Sequence, residues 1–173
     1  IMVLCPIDDL EIERMLTFLR RAMITETLAG KTDEKGLPFS AALALHCFTN
    51  EYIFPETDEE KAAVEQLQQQ IAALVEKKRD VPPSFVAALS AYRPLHSFSW
   101  ARELGDQAWA SDIVEVIERQ ISEPLEERSL RSQIPRLTSI QDTVSQLVRE
   151  QYEENPYPRW IKTGLYGRGR AIG

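Results

Sequence analysis

PFSAALALHCFTNEYIF, Pro38 to Phe54, is apolar on nearly every side. Phe39, Ala41, Ala42, Leu43, Ala44, Leu45, Cys47, Phe48 and Tyr52 dominate it, with His46, Thr49, Asn50 and Glu51 among its few polar marks. Proline suits a first helical turn, so the segment predicts a helix opening at Pro38 and running to about Phe54, closed by Pro55. A helix without a polar face belongs in the centre of a helical protein. The flanking sequence has to supply the helices that surround it.

Upstream, Asp8 three residues before Glu11 is a capping box that opens a first helix. Ile12, Met15, Leu16, Leu19 and Met23 follow at offsets of three and four, one apolar stripe facing a core, with Arg14, Arg20 and Arg21 mostly off it. The pattern stops near Gly30, and Lys31 to Gly36 reads as a polar loop. Downstream, Thr57 with Glu60 makes a second capping box. The helix behind it puts Val64, Leu67, Ile71, Leu74 and Val75 on one face. Lys77, Lys78 and Arg79 fall in its last turn, where cations complement the helix dipole.

Beyond Pro82 and Pro83 a short helix from Ser84 to Ala91 turns Phe85, Val86 and Leu89 inward. Tyr92 to Trp109 is the least regular stretch, with one short helix expected from about Ser99 to Leu104. Asp112 opens a helix with Ile113, Val116, Ile117 and Ile121 in register. Pro124 begins another, to about Ser132, carrying Leu125 and Leu130. Thr138 with Gln141 is a third capping box, before a helix with Ile140, Val144, Leu147 and Val148 inward that reaches Glu154. No β-branched alternation of useful length occurs. The fold class is therefore all-α, an irregular bundle of about seven helices. Residues 1–154 form a helical domain, and 155–173 an extended segment and flexible basic tail.

That last segment carries the densest cluster of recognition chemistry. Asn155 and Tyr157 each precede proline and are biased away from the helical region, so the chain leaves its helix extended. Tyr152, Asn155, Tyr157, Arg159 and Trp160 form an aromatic strap built to lie against a partner. Past Glu154 every charged residue is basic (Arg159, Lys162, Arg168 and Arg170).

Composition narrows the classes. The chain has 173 residues, 43% hydrophobic and 27% charged, with a net charge of −7. That charge opposes general nucleic-acid binding, which rests on neutralising phosphates. No apolar run approaches the roughly 18 residues of a membrane span. The two cysteines, Cys5 and Cys47, are too few for a disulfide framework or a zinc site and point to free thiols in a reducing cytoplasm. Residue 1 is not methionine, and the expectation is a fragment of a longer chain. His46 beside Cys47 is no ligand pair, because adjacent helical residues point about 100° apart; a packed or hydrogen-bonded histidine is expected. Ser97 and Ser99 beside His96 make no triad, and no Gly-rich loop follows a strand. No catalytic residue, metal ligand or cofactor-binding residue stands out.

Two segments resemble a known family. QYEENPYPRW, Gln151 to Trp160, is similar to a signature of bacterial proteins that join tetratricopeptide repeats, a helical intermediate region and a class I S-adenosylmethionine-dependent methyltransferase domain. LHCFTNEYIF, Leu45 to Phe54, resembles a Cys-Phe-x-Asn-Glu-Tyr-x-Phe patch of that intermediate region, falling here on Cys47, Phe48, Asn50, Glu51, Tyr52 and Phe54. Asp8 to Met23 resembles its first helix. The resemblance covers about residues 8 to 160. It implies a non-catalytic helical linker whose partners are its own repeat and methyltransferase domains and, through them, a protein substrate. S-adenosylmethionine is implied for the parent protein and no cofactor for this fragment, since IKTGLYGRGRAIG after Trp160 has no donor-binding strand or loop. The competing reading is a stand-alone interaction module, with a groove between the Pro38–Phe54 helix and the aromatic stretch from Tyr92 to Trp109. A hydrolase or metal enzyme lacks the residue cluster it would need.

Overall fold

Asp9 sets the start of the bundle in the computed structural model of the chain. The described residues are 9–31 and 34–131, with Gln133, Val148 and Gln151. The chain divides into two compact units, Ile1–Ile134 and Pro135–Gly173. Of the second, only Val148 and Gln151 are described, both helical. The Thr138–Gln141 capping box, the helix behind it up to Glu154 apart from Val148 and Gln151, and the strap and tail lie outside the described residues.

All regular structure among the described residues is helical. The α-helices are α1 (Leu10–Leu28), α2 (Leu37–Thr49), α3 (Asp58–Glu76), α4 (Pro83–Ser90), α5 (Ala101–Gly105), α6 (Ser111–Ile117) and α7 (Glu123–Arg131). Short 3₁₀ turns occur at Glu34–Gly36 and Leu95–Ser97. The fold class is as expected, and α2 is its centre: it packs on α1, α4 and α6, and Ala41, Leu43, Ala44, Leu45, His46, Cys47 and Phe48 are all buried. Around it, Leu67, Ile71, Val86, Leu89, Tyr92, Leu95, Ile113 and Val116 lose all their solvent exposure.

The first cap is Asp9, one position later than the expected Asp8. Its carboxylate accepts from the Glu11 and Ile12 amides, both at 3.0 Å. The Thr57–Glu60 capping box forms in full: the Glu60 amide donates to Thr57 Oγ1 at 3.2 Å, and the Thr57 amide donates to Glu60 Oε2 at 2.9 Å.

Three helices end in the same way, a left-handed residue followed by one whose amide closes a six-to-one hydrogen bond (the Schellman motif). At α1 the Lys31 amide reaches the Glu26 carbonyl and Gly30 has φ 71°. At α3 the Arg79 amide reaches the Leu74 carbonyl, with Lys78 at φ 52°. At α2 the Tyr52 amide reaches the Cys47 carbonyl at 2.9 Å, with Glu51 at φ 53° and Tyr52 itself at 56°. This last closure ends α2 at Thr49, five residues short of the expected Phe54. Lys77, Lys78 and Arg79 form the cap of α3 and the chain just past it, rather than its last turn.

The register of α1 departs from the expected stripe. Its buried residues are Leu16, Arg20, Ile24 and Thr27. Leu19 and Met23 pack against the core from its edge. Ile12 and Met15 instead stand 36% and 51% exposed, with Phe18 at 67%. The physical reason is Arg20, whose inward position turns the helix toward a buried acid.

Pro124 does not start a separate helix. The chain runs from α6 into α7 through a π turn, Glu118–Ser122. Proline within a helix removes a donor and crowds the carbonyl four residues back, here that of Gln120. A wider π turn at that point accommodates both effects.

Candidate functional site

Three constellations of side chains stand out, two buried and one open. The first surrounds Glu60 at the start of α3. Its carboxylate, 2% exposed, receives the Tyr92 hydroxyl at 2.7 Å, Arg21 at 3.1 Å, the Thr57 amide at 2.9 Å and Arg20 at 3.5 Å. Arg20 also donates to the Pro55 carbonyl at 2.9 Å and lays its guanidinium over the Tyr92 ring at 4.2 Å and the Phe54 ring at 5.6 Å. Burial pushes the Glu60 carboxyl up, but the Thr57 amide, Tyr92, Arg21 and Arg20 outweigh it and hold it below the ordinary range. Burial, then the bond to Glu60, holds the Tyr92 phenol well above its ordinary value, so it stays a donor. Glu60, in the first turn of α3, thus joins α3 to α1 and to Tyr92 just past α4.

The second constellation is organised by Gln120 in the π turn. Its carbonyl oxygen accepts from the Tyr52 hydroxyl and the Leu95 amide, both at 3.3 Å. Its amide nitrogen donates to the carbonyls of Ser90 at 3.1 Å and Ala44 at 3.5 Å. One buried side chain thus ties the π turn to α2, to the end of α4 and to the Pro94–Leu95 corner. Beside it, Arg119 donates to Thr49 Oγ1 at 3.3 Å, Asn50 Nδ2 meets His46 Nε2 at 3.0 Å, and Phe48 lies edge-on to Tyr52 and His96. His46 is 1% exposed and packed against Phe54, a hydrogen-bonded core histidine as expected.

The Cys47–Phe54 segment has a structural explanation in these two constellations. Cys47 offers the carbonyl that closes α2 and is itself buried, and burial raises its thiol to about 12. Asn50 caps the helix, Glu51 and Tyr52 take left-handed turns, the Tyr52 hydroxyl reaches Gln120, and Phe54 supports Arg20. Sequence reasoning missed Arg20, Glu60, Tyr92 and Gln120 as partners. Only the helical offset Leu16, Arg20, Ile24 hinted that an arginine shares the inner face.

The third constellation is an open groove of about 720 Å³ between the end of α3 and α5, lined among others by Val75, Lys78, Arg79, Trp100, Glu103 and Asp106. Gln107 pins its walls together: its side-chain amide pairs with both the amide and the carbonyl of Val81, at 2.9 and 3.1 Å. The Trp109 indole donates to the Leu104 carbonyl at 3.0 Å, and Phe98 stacks on Trp100 at 4.6 Å and 7°.

The aromatics expected to line a groove between α2 and the Tyr92–Trp109 stretch differ in burial. Tyr92 is wholly in the core, Phe48 is 9% exposed, and Tyr52, Trp100 and Trp109 are half-buried at different places. The strap residues Tyr152, Asn155, Tyr157, Arg159 and Trp160 lie outside the described residues. Ser97 donates to the Pro94 carbonyl at 2.7 Å and so is not turned toward His96 as a nucleophile. Among the described residues there is no group of three or more His, Cys, Asp or Glu placed to hold a metal ion, and no helix long and apolar enough to cross a membrane. No family model, curated protein or solved structure matches the chain.

Proposed function

We propose that this chain is a non-catalytic helical linker of a tetratricopeptide-repeat methyltransferase, coupling the repeats to an S-adenosylmethionine-dependent catalytic core in the bacterial cytoplasm. The observation that carries the reading is the paired resemblance of QYEENPYPRW and LHCFTNEYIF to that intermediate region. In this reading Tyr152, Asn155, Tyr157, Arg159 and Trp160 pack on the catalytic domain and close over the donor pocket, where aromatic faces suit a sulfonium. The methyl acceptor is a protein. Support comes from the Glu60 and Gln120 constellations. Their polar groups join helices to one another and are taken up in holding the bundle together. Calorimetric titration of S-adenosylmethionine into this chain and into the parent protein separates the outcomes. Binding by the parent alone is expected; binding by this chain alone overturns the reading.

A stand-alone interaction module is the second reading. The exposed outer face of α1, with Ile12, Met15 and Phe18, favours it.

A further inference from the structure

The groove between α3 and α5 has two unlike walls. Glu76, Lys78, Arg79 and Asp80, from the α3 side, balance in charge. The α5 side brings Trp100, Glu103 and Asp106, spaced by three so that they share one helical face, and no cation. Glu103 and Asp106 are exposed, and neither takes part in an ion pair among the described residues. Trp100 is half-buried, stacks on Phe98 and lines the groove. The Gln107–Val81 pairing fixes one wall against the other, so the shape exists before any ligand arrives.

An indole face beside two unpaired carboxylates is the chemistry that holds a planar cation. A guanidinium stacks on the ring by its face and donates to carboxylates by its edge. We propose that this groove is a docking site for an arginine side chain in an extended, basic segment of a partner protein. Trp100 supplies the stacking face, and Glu103 and Asp106 the acceptors. Ala72, Val75 and Ala108 receive the apolar neighbours of that arginine. The assignment stands independently of the methyltransferase reading.

Amide and indole NMR shifts, followed while a capped Gly-Arg-Gly peptide is added to the whole chain, test the proposal. Matched peptides carry lysine or citrulline in place of the arginine. Shifts should centre on the Trp100 indole and the Gln107 side-chain amide, with arginine the tightest and citrulline without effect. Replacing Glu103→Gln and Asp106→Asn together should weaken binding about tenfold. Both residues are exposed, so this variant folds. Glu26→Gln with Glu65→Gln makes the same charge change on exposed surface elsewhere and should leave binding unchanged. Equal binding of citrulline and arginine, equal losses in the two double variants, or no shift at Trp100 each overturn the site. Tighter binding of lysine than arginine overturns the stacking assignment.

Discussion

At the scale of single residues, Glu60 decides most. Among the described residues it is the one carboxylate that two arginines, a tyrosine and a backbone amide share, and Arg20 is wholly buried against it. Removing one member of a buried ion pair strands the other and costs about 3–5 kcal/mol. Glu60→Gln should therefore lose about that much stability in urea denaturation at neutral pH, since Arg20 keeps its charge and loses its counter-ion. The pH dependence has a definite sign. The folded carboxyl sits below its unfolded value, so its contribution is complete above the ordinary carboxylate range and is lost as the pH falls through the folded value. The gap between wild type and Glu60→Gln should then narrow on acidification. A gap that stays constant, or widens, would show that Glu60 is not held as a buried anion.

At the scale of elements, most helices were legible in the sequence because apolar spacing and capping residues act locally. Thr57 and Glu60 announced α3, and Ile113, Val116, Ile117 and Ile121 announced α6 and the turn after it. The register of α1 was not legible. Its apolar residues are wide enough to support two stripes, and the choice rests on Arg20 meeting Glu60, a contact forty residues distant. The end of α2 was hidden for another reason. A left-handed closure normally advertises itself with glycine, as Gly30 does, but α2 and α3 close on Glu51 and Lys78. An L-residue there pays about 1–2 kcal/mol, and glycine in its place gives back part of that gain through unfolded-chain entropy. Lys78→Gly should stabilise the chain by about 0.5–1 kcal/mol, read as a raised denaturation midpoint with unchanged cooperativity. A lowered midpoint would mean that the Lys78 side chain contributes more than its backbone costs.

At the scale of the whole molecule, buried polar side chains bind the helices together where apolar packing alone would leave their order loose. Gln120 meets α2, α4 and the Pro94 corner from a π turn, and Glu60 in α3 meets α1 and Tyr92 just past α4. Neither network could be read from spacing, because each partner comes from a different part of the chain. The candidate groove was equally invisible, since Trp100 and the end of α3 are neighbours only in the fold. The central position of α2 has a practical consequence through Cys47. Its thiol is without solvent exposure and burial raises it to about 12, so the native protein offers no thiolate to an alkylating or disulfide reagent near neutral pH. Modification must wait until α2 is uncovered. In a Cys5→Ser background the labelling rate becomes a clock for opening of the core, slowed from that of a free thiol by the opening equilibrium itself. Glu60→Gln should run that clock faster by the factor that its stability loss dictates, and a native protein that labels as fast as a free thiol would displace α2 from the centre of the bundle.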